Sequence, residues 1–222
     1  MPAPFRTGAD DMTLPGRNAI ENALRERHTP EIHGMIKKAK VGIAGLGGLG
    51  SNIAAMLVRA GVSDLVIADL DIVDITNINR QNYGIDQVGL AKTDATEQQL
   101  KKINPYAKIK KHNVRLNVSN ISKIFKKCDI VCEAFDVPSE KTMLITAILE
   151  QCPGAKVVSG SGMAGFGRSN EIVTKMMSDR LYICGDGIDM EDAAGGLMAP
   201  RVGICAGHMA NTVISLILGG KI

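Results

Sequence analysis

The chain has 222 residues, 45% hydrophobic and 22% charged, which fits one domain of ordinary size and excludes disordered and low-complexity classes. Lysine and arginine total 26 against 23 acidic residues, and a net charge of +3 is too small to argue for a nucleic-acid partner. Three Tyr, four Phe and no Trp leave little from which to build a base-stacking platform.

The opening residues, MPAPFRTGADD, carry no apolar core of signal-peptide type and read, to about residue 17, as a loose arm. Residues 18–38 hold helix formers interrupted at Pro30, so one or two short helices are expected, forming an N-terminal helical arm over 1–38. A single domain then spans 39–222. It opens with the short apolar strand Val41–Ala44, the glycine run Gly45-Leu46-Gly47-Gly48-Leu49-Gly50, and a helix over Ser51–Ala60 with Ile53, Ala54, Leu57 and Val58 on one face. A second buried strand, Leu65–Asp69, ends in an acid. Residues 70–88 form a long connection rich in Asn, Arg and Gln, and connections of that length are usually functional or mobile.

A helix follows over Ala91–Ile103, stopped by Asn104-Pro105, then strands at Lys108–Val114 and Cys128–Phe135 and a helix at Met143–Leu149. A strand beginning at Val157 is broken by glycines at 160, 162, 165 and 167. Residues Glu171–Met176 read as an antiparallel strand and 185–196 as an acidic, Gly-rich loop. The apolar stretch Val202–Leu218 is interrupted by His208 and Asn211 and reads as a buried helix, not a membrane span. Alternating strands and helices predict an α/β, Rossmann-like, mostly parallel sheet flanked by helices, with an antiparallel C-terminal extension. Ligands of such sheets bind beyond the carboxyl ends of the strands.

The glycine run follows a strand and opens a helix, the context in which free N–H groups and the helix dipole favour a phosphate. Asp69 closes the second strand, where an acid can accept from ribose hydroxyls. Up to this point an NAD-dependent oxidoreductase fits as well. Asn77, Arg80, Gln81 and Lys92 then gather cations and amides beside that acid, which a dehydrogenase does not need and a triphosphate does. Asp136 follows another strand, and a carboxylate beside phosphates is a typical Mg²⁺ ligand.

The segments GLGGLGSN at 45–52, DLDIVDITNINRQ at 69–81, VGLAK at 88–92, AFD at 134–136 and GLMAPRVG at 196–203 resemble the ubiquitin-activating-enzyme-like superfamily, in its short ThiF/MoeB/HesA branch. The resemblance covers about residues 40–220. It implies ATP-dependent adenylation of the C-terminal glycine of a small ubiquitin-like sulfur carrier ending in Gly-Gly. The thiamine carrier is the leading choice, with the molybdopterin carrier or a tRNA-modifying relative's substrate as the alternative. It further implies Gly45, Gly47 and Gly48 against the phosphates and Asp69 on the ribose. Asn77, Arg80 and Lys92 would hold phosphates and developing charge, and Asp136 would hold Mg²⁺. A homodimer is implied too, with Arg25 or Arg27 reaching into the partner subunit's site; a cytoplasmic location is expected from the odd count of cysteines, read as reduced thiols.

The five cysteines contain no CxxC pair. Many relatives hold zinc with two such pairs; here no zinc is expected, and Cys184 is expected to be a structural thiol.

Overall fold

The computed structural model describes residues 14–188 and 195–220. Helices α1 (Arg17–His28) and α2 (Pro30–Lys38) precede β1 (Lys40–Ala44), α3 (Gly48–Arg59), β2 (Asp64–Asp69), α4 (Lys92–Ile103) and β3 (Lys108–Asn113). There follow α5 (Val118–Phe125), β4 (Ile130–Glu133), α6 (Pro138–Gln151), β5 (Lys156–Gly160), β6 (Val173–Ser178), β7 (Leu181–Gly185) and α7 (Ala199–Ile217). The seven strands form one sheet in the order β3-β2-β1-β4-β5-β7-β6, parallel throughout except for β6 against β7. The expected Rossmann-like α/β architecture with an antiparallel C-terminal pair is therefore the observed one.

Burial follows the two-residue period of a strand. Val41 and Ile43 of β1 face a core shared with α3 and α7, whereas Ala44 faces a second core built with α5 and α6. Gly42 has no room for a side chain, since a Cβ there would lie 2.6 Å from the Phe125 ring. On α7, Val202, Cys205, Ala206, Met209, Ala210 and Val213 recur at helical spacing and are buried. The edge strand β3 (KIKKHN) is largely exposed, and its lysines are the usual protection of a sheet edge.

Local differences from the sequence expectations have identifiable causes. α3 begins at Gly48, not Ser51, because the glycines themselves form its first turn. α6 begins at Pro138, a favoured first helical residue. α5 was not anticipated, although Asn117 and Asn120 form a reciprocal cap at its start. β7 was also missed, and it makes β6 part of a hairpin at the sheet end. The expected N-terminal arm and acidic loop fall partly on residues 1–13 and 189–194, outside the described residues.

The order 3-2-1-4-5 places a topological switch between β1 and β4. The chain winds outward from β1 in both directions, so the loops after these two strands diverge and leave a crevice.

Candidate active site

A cavity of about 650 Å³ opens at the carboxyl ends of β1, β2 and β4. Gly45, Gly47, Gly48, Asp69, Asn77, Arg80, Lys92 and Asp136 all line it, as does Gln81. The residues from Gly45 to Asp136 singled out from the sequence are thus at one place, although the first and last are 91 positions apart in the chain.

The glycine turn is shaped by two opposed constraints. Gly45 has φ +88°, and a Cβ there would press within 2.9 Å of the Ala134 carbonyl oxygen; a Cβ on Gly50 would lie only 1.9 Å from the Gly45 oxygen. These positions are glycine because the turn and the β1–α3 packing leave no choice. At Gly47 the nearest atom to an added Cβ is Gln81 Nε2, 3.9 Å away. The chain's own packing does not demand glycine there, and a side chain would project into the cavity. No side chain caps the start of α3, so its first N–H groups remain available to an anion.

Asp69 has a structural role that its position alone did not reveal. Its carboxylate accepts from the Leu46 N–H at 2.5 Å and the Asp71 N–H at 2.8 Å, bracing the glycine turn. Burial pushes its pKa above the ordinary carboxylate value, opposed by these hydrogen bonds and by Lys92.

Residues 70–92 double back on themselves. Val73 donates to the Leu90 carbonyl at 2.8 Å, Gly89 to the Val73 carbonyl at 2.8 Å, and Lys92 to the Asp71 carbonyl at 2.9 Å. This returns Lys92 to the cavity, where its ammonium pairs with Asp71 at 2.7 Å. The lysine side chain is only 8% exposed and the aspartate 67%, so the cation is held in the wall and its partner can turn to solvent.

Arg80 is oriented by its own segment, donating to the Thr76 carbonyl at 3.1 Å and to Asn79 Oδ1 at 2.8 Å. No carboxylate pairs with it among the described residues. Ser51 and Asn52, the last two residues of the GLGGLGSN segment, tie that segment to the glycine turn. Ser51 Oγ accepts from the Asn82 N–H at 3.0 Å, and Asn52 Nδ2 donates to the Arg80 carbonyl at 3.1 Å. Asn77 is engaged in a reciprocal cap with Asp74. Gln81 is buried with its Oε1 unpartnered, a polar atom in the wall awaiting a donor.

Asp136 is exposed on the opposite wall, after β4. No ion pair or hydrogen bond engages its carboxylate among the described residues. Below it lies a network that sequence reasoning missed. Glu133, fully buried, accepts from Lys141 Nζ at 2.6 Å, Ser159 Oγ at 2.6 Å and the Phe135 N–H at 2.7 Å. Lys141 also donates to the Gly160 carbonyl at 2.8 Å. The available signal was an acid inside an otherwise apolar strand, which must find a partner.

Other readings resolve as follows. Cys184 lies on β7, buried beside Thr174, and burial raises its pKa; it does not line the cavity. His208 is partnered through Thr174 at 3.2 Å. The glycines after β5 lie in the loop that passes beyond β7 to reach β6, which pairs with β7 and not with β5. Arg201, buried, fastens this loop by donating to the Gly167 and Arg168 carbonyls and pairing with Asp186. Arg25 pairs with Glu21 on its own helix at 3.7 Å.

A doubly wound sheet, a glycine turn at a switch point and a cation-lined cleft define a Rossmann-like α/β protein. Residues 24–221 match the model of the ThiF family, and the chain belongs to that family, within the ubiquitin-activating-enzyme-like superfamily. It is 34% identical over 191 residues to the adenylyltransferase and sulfurtransferase UBA4 of Candida glabrata, and 31% identical over 192 residues to that of Ogataea parapolymorpha. These alignments cover 83% of this chain but only 43% and 48% of the relatives, so the chain spans less than half the length of the proteins it matches. The fold is similar to that of E. coli tRNA N6-threonylcarbamoyladenosine dehydratase, TcdA, in complex with ATP, with TM-score 0.80 and 18% identity over 89% of this chain and 93% of that one. It is also similar to E. coli MccB with AMPCPP and MccA, with TM-score 0.67 and 23% identity over 89% and 64% of the two chains.

Proposed function

We propose that this chain uses ATP to adenylate the C-terminal glycine carboxylate of a small ubiquitin-like sulfur carrier, releasing pyrophosphate. The observation that carries this reading is the convergence of the glycine turn, Asp69, Arg80, Lys92 and Asp136 on one cavity at the sheet's switch point. Family membership and the likeness to adenylyltransferases support it. An NAD-dependent oxidoreductase leaves Arg80, Lys92 and Asp136 without a task.

In the reaction, the carrier carboxylate attacks the α-phosphorus. A carboxylate oxygen–phosphorus bond forms, the bond from the α-phosphorus to the bridging oxygen breaks, and its electron pair leaves with pyrophosphate. The nucleophile is already ionised at neutral pH, so no general base is needed. The barrier is repulsion between a carboxylate and a polyanion, and the protein's task is positioning and neutralisation. The uncapped start of α3 and Gly47 receive the phosphates. Arg80 supplies a planar fork, and Lys92 exchanges Asp71 for a phosphate oxygen. Asp69 accepts from the ribose while holding the glycine turn.

Asp136, exposed and unengaged, suits Mg²⁺, which commonly takes one or two carboxylates together with substrate phosphates and waters. Mg²⁺, when bound, would neutralise charge on the triphosphate. No group of three or more His, Cys, Asp or Glu with metal-site geometry exists among the described residues.

The thiamine carrier is our leading substrate and the molybdopterin carrier the alternative. The loop held by Arg201 offers a path along which an extended Gly-Gly tail reaches the cavity. We assign a cytoplasmic homodimer, with Arg25 or Arg27 reaching the partner subunit's site; no helix among the described residues is long and apolar enough to cross a membrane. Mass spectrometry of candidate carriers after incubation with ATP and the enzyme tests the reading. The expected product is carrier bearing AMP on its C-terminal carboxylate. Unmodified carriers from both pathways, with ATP bound but unconsumed, would reject it.

A further inference from the structure

The opposite end of the sheet, at the amino ends of its strands, holds a second cavity. There α1 and α2 close over the first residues of β2 and β3, enclosing about 290 Å³, close to the lower size limit of small-molecule sites. Arg17, Lys37, Lys38 and Lys108 line it, with Glu21 and Asp64 as the carboxylates. Both carboxylates are already matched: Glu21 with Lys37 at 2.7 Å, and Asp64 with Lys40 at 3.2 Å. Arg17 lies over the Tyr106 ring, its guanidinium carbon 5.3 Å from the ring centroid, within cation–π range. No carboxylate pairs with Arg17, Lys38 or Lys108 among the described residues. Three positive charges therefore border one small volume without compensation.

A second observation is independent of that charge. His33 forms part of the wall, is only 2% exposed, and has both ring nitrogens without a hydrogen-bond partner. Buried polar groups are almost always partnered, and one that is not calls for an explanation. Gly61 stands against the ring, where an added Cβ would lie 3.5 Å from Nδ1. A neutral imidazole offers one donor and one acceptor, and hence one N–H for an incoming oxygen.

We infer that this cavity binds a small phosphate-bearing anion, with Arg17, Lys38 and Lys108 neutralising it and His33 hydrogen-bonding to it. A monocarboxylate would leave most of the positive charge unmatched, whereas a phosphate dianion or pyrophosphate answers it. Arg and Lys together are the usual phosphate-binding pair. The site lies at the amino ends of the strands, the far end of the sheet from the large cavity, and does not depend on the activity proposed for that cavity.

The test follows the His33 ring resonances of the full chain by NMR, assigned by comparison with His33→Asn. Inorganic phosphate, pyrophosphate and glycerol 3-phosphate are titrated separately at ionic strength held constant with potassium chloride. The expected result is a saturable shift with at least one probe, and the tightest of the three identifies free phosphate, pyrophosphate or an ester as the ligand type. The exposed pair Lys38→Ala/Lys108→Ala should weaken binding at least about tenfold, the loss expected when charge-assisted contacts are removed, with an unchanged melting temperature. A shift that does not saturate, that chloride alone reproduces, or that the double variant leaves untouched would overturn the inference.

Discussion

Glu133, the last residue of β4, and Lys141 of α6 form an ion pair at 2.6 Å, with the glutamate side chain fully buried and the lysine side chain 20% exposed. The pair ties the Phe135 backbone and the Gly160 carbonyl to one point. Asp136 is the next residue after Phe135, so its placement over the cavity depends on this brace. Breaking a buried pair strands a charge, and Lys141→Met should cost about 3–5 kcal/mol by denaturant unfolding. Glu133→Leu combined with Lys141→Met should cost less than the two single changes added together, since neither charge is then left alone. Additive losses would show that the pair is not coupled.

Arg80 and Lys92 approach the same cavity with different local commitments. Arg80→Ala and Lys92→Ala should each lower carrier-dependent ATP–pyrophosphate exchange by about 10²–10³, the usual effect of removing one charge-stabilising donor. Circular dichroism should show both variants folded. Near-normal exchange in both would remove these residues from the reaction.

Two glycines three residues apart should respond oppositely to alanine. Gly50→Ala drives a Cβ to 1.9 Å from a backbone oxygen and should destabilise the chain by about 3 kcal/mol or more. Gly47→Ala meets no chain atom closer than 3.9 Å, so its melting temperature should stay near the parent's while ATP affinity falls. Calorimetric melting and ATP titration separate the two outcomes.

The cysteines should be inert in the native state. Burial pushes Cys128 and Cys205 up to about 12, and raises Cys132, Cys152 and Cys184 as well. A raised thiol pKa keeps the unreactive protonated form dominant until the pH approaches the shifted value, so alkylation by iodoacetamide at pH 8 should be negligible. All five should react once guanidinium unfolds the chain. Rapid native labelling of Cys184 would contradict its assignment as a buried structural thiol.

The parts of the site that local chemistry dictates were legible in the sequence. The glycine turn, its strand and helix, and the acid closing the second strand depend on neighbours in the chain, and the structure places them as expected. Arg80 and Lys92 were also legible, because few structural roles need such side chains in a long connection. The partners of these residues were not. Lys92 meets Asp71 only because the chain folds back through the Val73–Leu90 bond. Glu133 meets Ser159 from 26 positions away, through strands that become neighbours only in the sheet. β7 was hidden because five residues, LYICG, are too few for a periodic signal, and it is recognised by its pairing with β5 and β6.

The most direct test is a crystal structure grown with ATP, Mg²⁺ and the intact chain. The triphosphate should lie over Gly47 and the first turn of α3, with Arg80 on its oxygens, Lys92 released from Asp71, and the ribose on Asp69. A nucleotide bound outside this cleft, or a nicotinamide dinucleotide selected in its place, would contradict the account.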